Sequence, residues 1–273
     1  MNLVVRREAG SEFGDLGHRL AAICAETAPL VEQVTDLSLP DQMVIRTMTV
    51  PDWQQAHRQR TAQRLFAEFE ELRPTNDERH QAGERRKGLL KFQRKFWPTM
   101  PAESVEFVPG CPELVILPEA LRHAGWLDDN PALYKICAHG LTRLAQYAAS
   151  SGQVWRVPDT YLPQLRGIPG RDFGALVEGH AYWADQQITS ALFGSPVSTD
   201  EPSACASVRY RALHASALWM AGVAGQRTAT ATVAQLIHLE GLGSFNRVWK
   251  DLTLAPLVSD TAVDAWHKRF QPR

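Results

Sequence analysis

The segment His139-Gly140-Leu141-Thr142-Arg143 holds the residues of this chain best spaced for chemistry. Helical residues four apart share a face. Two histidines at that spacing can grip one zinc ion, while a glutamate after the first acts as base on the metal-bound water. Here only the first such group is present, as His139. Gly140 stands at the base position and Arg143 at the second ligand position. A glycine takes no proton, and a guanidinium stays protonated and offers no lone pair. Arg143 also sets a positive charge where the ion would sit. At ~4 Å and an effective dielectric near 20, each unit of like charge costs about 4 kcal/mol. Cys137 is a poor substitute ligand, because a residue two before His139 points to another face.

A second stretch, Leu176 to Trp183, contains Glu178 and His180. On a regular helix Glu178 shares its face with Tyr182 and Asp185, whereas His180 points about 200° away. Arg143 can replace a metal cation and pair with Glu178 or with a substrate carboxylate. Gly140 removes the base side chain and is expected to leave space. His139 and Glu178 can then work as an acid–base pair on a bound small molecule. The plainer alternative is a structural Arg143–Glu178 ion pair in a dead site. The predicted catalytic residues are therefore His139, Glu178 and Arg143. The predicted substrate contacts are Arg143, Tyr182, Trp183 and His180. No metal ligand set and no cofactor are expected: the chain has no G-x-S-x-G elbow, P-loop or dinucleotide fingerprint.

The run from Tyr134 to Gln146 resembles the active-site helix of zincin-like metallopeptidases, in which a His-Glu-Leu-Thr-His-Leu-x-Gln run is common. Three further stretches resemble the type 2 zincin-like metallopeptidases and come in the right order. Cys111–Pro118 is similar to the apolar strand before that helix. Leu176–Trp183 is similar to the helix that supplies the third ligand, at Glu178. Leu239–Trp249 resembles the closing motif and is followed by Ala265-Trp266-His267-Lys268-Arg269. The likeness covers roughly residues 105–270; the N-terminal third matches chiefly at Pro51-Asp52-Trp53.

The resemblance implies a zincin-like architecture, mainly α with a small β-sheet (α+β). An N-terminal helical and strand region over 1–100 and a zincin-like region over 101–273 are expected to form one compact unit. Read with the altered motif, it implies a non-peptidase, metal-independent enzyme. A small-molecule or peptide-like ligand would sit in the former zinc pocket and undergo an acid–base, cyclisation or rearrangement step, by analogy in specialised-metabolite biosynthesis. The alternatives are a pseudo-metallopeptidase acting in binding or regulation, and a metallohydrolase whose zinc ligands are rearranged to His139, Glu178 and His180.

The chain has 273 residues, a net charge of −1, 44% hydrophobic and 22% charged residues. That is an ordinary soluble globular composition, with no general pull toward nucleic acid or an anionic membrane. No run approaches the ~20 apolar residues of a membrane helix, and the first residues lack a signal-peptide pattern. Cys24, Cys111, Cys137 and Cys205 form no C-x-x-C pair, which suits a reducing cytoplasm. Oligomeric state leaves no signal.

The elements that must position the site follow from periodicity and breakers. A helix is expected over 12–36, broken or kinked at Pro29, then a strand over 43–50 ending at Pro51, with Asp52 capping the next helix. Pro74–Asp77 is a turn. The basic and aromatic segment 78–97 reads as a solvated amphipathic helix in preference to a nucleic-acid-binding face. Short strands over 105–108 and 114–117 flank a bend at Pro109-Gly110. The site helices are 131–150 and 172–192, with a loop over 154–170 expected to cover the site. Helices over 203–224 and 230–240 follow, with breaks at Gly241 and Gly243.

Overall fold

A computed structural model describes residues 2–168, 170–260 and 262–271. Four strands form a mixed sheet: β1 (Asn2–Arg7), β2 (Gln42–Thr47), β3 (Ala102–Val108) and β4 (Cys111–Ile116), in the order β1-β2-β4-β3. β1 pairs parallel with β2 and β2 parallel with β4, while β3 runs antiparallel to β4. Parallel neighbours need crossovers. Helix α1 (Gly14–Thr35) joins β1 to β2, and α2 (Val50–Leu72), α3 (Asn76–Phe96) and β3 lie between β2 and β4. β3 and β4 turn at Pro109-Gly110, where Gly110 holds a φ of 80° that glycine adopts without strain. The rest is helical: α4 (Pro118–Ala124), α5 (Asn130–Ala149), α6 (Gln153–Arg156), α7 (Phe173–Phe193), α8 (Val208–His214), α9 (Ala217–Glu240), α10 (Leu242–Phe245) and α11 (Val263–His267). The chain is thus a mainly helical α+β protein. Among the described residues no helix is long and apolar enough to cross a membrane.

Strand alternation divides the interior. Leu114 and Ile116 of β4 join Met43 and Ile45 of β2 in the main core, against Leu20 and Cys24 of α1 and Leu141 and Leu144 of α5. Val115 and Leu117 face the other way, into a smaller core with Met48, Trp53 and Val105. The main core continues through Phe245, Trp249 and Trp266 to Phe270, so both halves of the chain contribute to it. Each fully buried Leu, Ile or Phe side chain contributes about 1.5–3 kcal/mol.

Several elements depart from expectation. β1 is additional; its residues are at most half-buried, so their periodicity is weak. β2 stops at Thr47, and Val50 and Pro51 open α2, where proline's missing N–H costs nothing. The cap of α2 is Thr49, which accepts from the Asp52 backbone N–H, rather than Asp52 itself. α1 passes through Pro29, and α9 passes through Gly222 and Gly225, as unbroken helices in this structure.

α3 begins with a Thr75–Glu78 capping box and is amphipathic. Its arginines brace neighbours: Arg85 donates to the Tyr161 carbonyl at 2.7 Å and Arg86 to Thr61 Oγ1 at 3.1 Å. Within the segment 154–168, Trp155 meets the site, with the Arg143 guanidinium over its ring 5.6 Å from the centroid, although none of the segment's residues lines the cavity. Glu68 of α2 accepts from Tyr161 N at 2.9 Å, and Tyr161 and Leu162 pack with Ala82 of α3, which pins the loop to the α2–α3 pair. Pro169 of that expected loop lies outside the described residues.

Candidate functional site

Two stripes of polar side chains meet where α5 packs on α7. Asp129 starts α5 by accepting from Ala132 N at 3.1 Å, and Asp172 starts α7 by accepting from Ala175 N at 2.8 Å. On α5, Lys135, His139 and Arg143 recur at four-residue steps. On α7, Glu178, Tyr182 and Asp185 share one face. The helices run antiparallel, so the stripes interlock in reverse order. Lys135 Nζ lies 2.7 Å from Asp185 Oδ1, and His139 Nδ1 lies 3.1 Å from Asp185 Oδ2. His139 Nε2 is 3.2 Å from Glu178 Oε2, and Arg143 donates to Glu178 Oε1. The Tyr182 ring meets the His139 ring edge-on at 4.5 Å between centroids. α9 braces α7 from behind. A Cβ at Gly179 would stand 2.7 Å from the Ala229 carbonyl oxygen, so only glycine lets the helices approach this closely beside Glu178.

The proton count on this wall is constrained. Asp185 is fully buried and accepts from both Lys135 and His139. A carboxylate only accepts, so His139 Nδ1 carries a hydrogen. Burial pulls the imidazole below its usual range, and the charges of Lys135 and Arg143 push the same way; the bond and charge of Asp185 oppose them. Nε2 faces Glu178 Oε2 at 3.2 Å, so the ring stands between two carboxylate oxygens. That contact is a hydrogen bond when Nε2 also carries a hydrogen, because both nitrogens of a protonated imidazole donate. Burial also draws Arg143 down to about 10, against the pull of Glu103 and Tyr182, which leaves it cationic at neutral pH.

These groups line a cavity of about 430 Å³. β3 contributes Glu103, whose Oε1 accepts from Trp53 Nε1 and lies 2.6 Å from His57 Nε2. Burial alone would raise the Glu103 carboxyl; His57, helped by Trp53, holds it below the ordinary range instead. Phe92, Trp126, Trp219 and Val223 contribute to an apolar wall, and Thr199 and Asp200 also belong to the lining.

Of the predicted residues, His139, Arg143, Glu178 and Tyr182 line the cavity together. His180 and Trp183 do not. His180 is fully buried on another face of α7, with its ring centroid 5.5 Å from Trp183, 5.4 Å from Phe245 and 5.1 Å from Trp249. Its Nδ1 is 3.0 Å from Gln146 Nε2, and burial pulls the ring down to about 3. The cause is helical geometry: a residue two positions from Glu178 cannot share its face. Trp183 packs half-buried against the main core.

Nor does Gly140 leave empty space. A Cβ there would lie 2.4 Å from Leu114 Cδ1, so a leucine of β4 occupies that volume. Cys137 sits in the main core. Lys135, one helical turn before His139, was legible from spacing. Glu103 was not, because only the fold brings β3 to α5.

Zinc, the metal implied by the resemblance, does not fit this wall. Both nitrogens of His139 face carboxylates, Arg143 fills the second ligand position, and Lys135 adds another cation. Among the described residues no three His, Cys, Asp or Glu side chains are grouped to hold an ion. No protein-family model, curated protein or solved structure matches this chain.

Proposed function

We propose that this chain is a metal-independent enzyme on a zincin-like scaffold, catalysing proton transfer, cyclisation or rearrangement of a small molecule, with a role in specialised biosynthesis. The observation that carries the reading is His139, held through Nδ1 by buried Asp185 and presenting Nε2 to Glu178 at a cavity wall. In this reading Nε2 is the general base, a role that contributes typically 10²–10⁴-fold in rate. Asp185 fixes the tautomer and ring orientation, and Lys135 pairs with Asp185 at 2.7 Å. Arg143 offers a fixed charge to negative charge developing on the substrate. The cavity falls within the 300–1,000 Å³ range typical of small-ligand sites. The zincin-like scaffold is supported by the order of motifs, with a strand at β4, a helix carrying His139 and Arg143, and a second helix carrying Glu178. A binding protein without turnover is the competing reading; it is favoured by the pairing of Arg143 with Glu178.

The test is untargeted mass spectrometry of a metabolite extract from the source organism, incubated with chelator-treated protein. The wild type is expected to convert at least one compound that His139→Ala and Glu178→Gln leave untouched. Conversion by neither wild type nor variant, or equal conversion by all three, would overturn the assignment.

A further inference from the structure

Every charged side chain in the lining of the cavity already has a partner. Lys135 pairs with Asp185, Arg143 with Glu178 and Asp200 with Arg227. Glu103 is bound by Trp53 and His57, and His139 stands between Asp185 and Glu178. A charged ligand would break one of these pairs or enter without a counter-charge, and either is costly in a partly buried site. The unmet groups are of another kind. Among the described residues of the lining, the buried side-chain polar atoms with no hydrogen-bond partner are Arg143 Nε and Trp219 Nε1. Both carry a hydrogen and neither can accept. Trp219 also belongs to a larger aromatic wall. Its ring lies 5.8 Å from His214, His214 lies 5.7 Å from Tyr210, and Tyr210 lies 5.8 Å from Trp126, which returns to the cavity. His214 Nε2 and Tyr210 OH are likewise buried without a partner. Each shielded polar group left unpaired costs stability, so three in one wall point to a guest that packing alone does not supply. The phenol and imidazole can donate or accept; the indole N–H, the one of the three on the cavity lining, only donates.

We infer that the ligand of this cavity is a neutral molecule with an apolar or aromatic body and an acceptor oxygen of the carbonyl class. The oxygen takes the Trp219 N–H while the body lies along Phe92, Trp126 and Val223. A carbonyl meets the donor without bringing a charge that the wall does not match. This rests on the reading of the cavity as a ligand site, though not on turnover.

Four probes on one bicyclic frame separate the terms: 1-indanone, the hydrocarbon indane, protonated 1-aminoindane and indane-1-carboxylate, titrated by ligand-observed NMR at neutral pH. 1-Indanone is expected to bind at least about tenfold more tightly than either charged probe. Trp219→Phe keeps an aromatic ring in the wall and removes the N–H. It should weaken 1-indanone about three- to tenfold, the range of one neutral hydrogen bond, and change indane by less than about twofold. The wild type gives a readout that needs no variant: one of the eight tryptophan indole N–H signals should move further downfield with 1-indanone than with indane. Thermal melts identify a misfolded variant, in which case the indole signals decide. Tighter binding of either charged probe, equal weakening of 1-indanone and indane by Trp219→Phe, indole signals that do not distinguish the two, or no binding of any probe at millimolar concentration would overturn the inference. A protein that prefers 1-indanone but converts no metabolite keeps this inference and loses the enzymatic one. Conversion of metabolites without that preference does the reverse.

Discussion

Acidification should destabilise this fold in part through one buried residue, His180. The imidazole is fully buried among Trp183, Phe245 and Trp249 and is pulled down to about 3 by burial. In the unfolded chain a histidine titrates near 6.5. Between those values the unfolded state binds the extra proton and the native state does not, so stability is full above about pH 6.5 and falls as pH falls toward 3. The linkage relation gives a loss of about 2 kcal/mol between pH 7.5 and pH 5, and about 4–5 kcal/mol if the fold survives to pH 3. His180→Phe keeps an aromatic ring in the same packing and removes the titration. Urea unfolding of both proteins at pH 7.5 and pH 5, with comparable m-values, isolates the term; His139, also held low, contributes equally to both. The variant should lose about 2 kcal/mol less than the wild type over that interval. Parallel losses would refute the argument and imply that the ring reaches water or an acid.

Two further substitutions probe the site's framework. Lys135→Met leaves the Asp185 carboxylate buried with its ammonium partner gone, and should cost about 3–5 kcal/mol in denaturant unfolding. Adding Asp185→Leu should restore much of it; a single-variant cost under about 1 kcal/mol would show that the pair is not desolvated. Gly140→Glu recreates the missing carboxylate in sequence but must displace Leu114, and should cost about 1–3 kcal/mol without conferring zinc binding by elemental analysis. Leu114→Ala in the same chain should relieve part of that strain, and a Gly140→Glu protein as stable as wild type would contradict the packing account.

Local rules explain where the sequence and the structure agree. Helical spacing placed Glu178, Tyr182 and Asp185 on one face and His180 on another, and separated Cys137 from His139, because turn geometry is set by the backbone alone. The bend at Gly110 is of the same kind. The expectations that failed required knowledge of what packs where. Thr49 and Asp52 both have capping side chains, and only the path of β2 into α2 selects Thr49. Segment 154–168 is rich in breakers, which set no direction; packing sends Val154 and Trp155 into the main core, with Trp155 against Arg143, and Glu68 and Ala82 hold Tyr161 and Leu162 on α2 and α3.

The sequence by itself determined that the wall of this site carries His139, Arg143 and Glu178 where a metal centre would need two histidines and a base, because ligand chemistry is a property of residue type. Tertiary structure alone decided that Gly140 faces a leucine, that Glu103 reaches the cavity from β3, and that Asp185 and Glu178 each take one nitrogen of His139. Those contacts join segments far apart in the chain. Their distances follow from sheet order and helix packing, which no local spacing encodes.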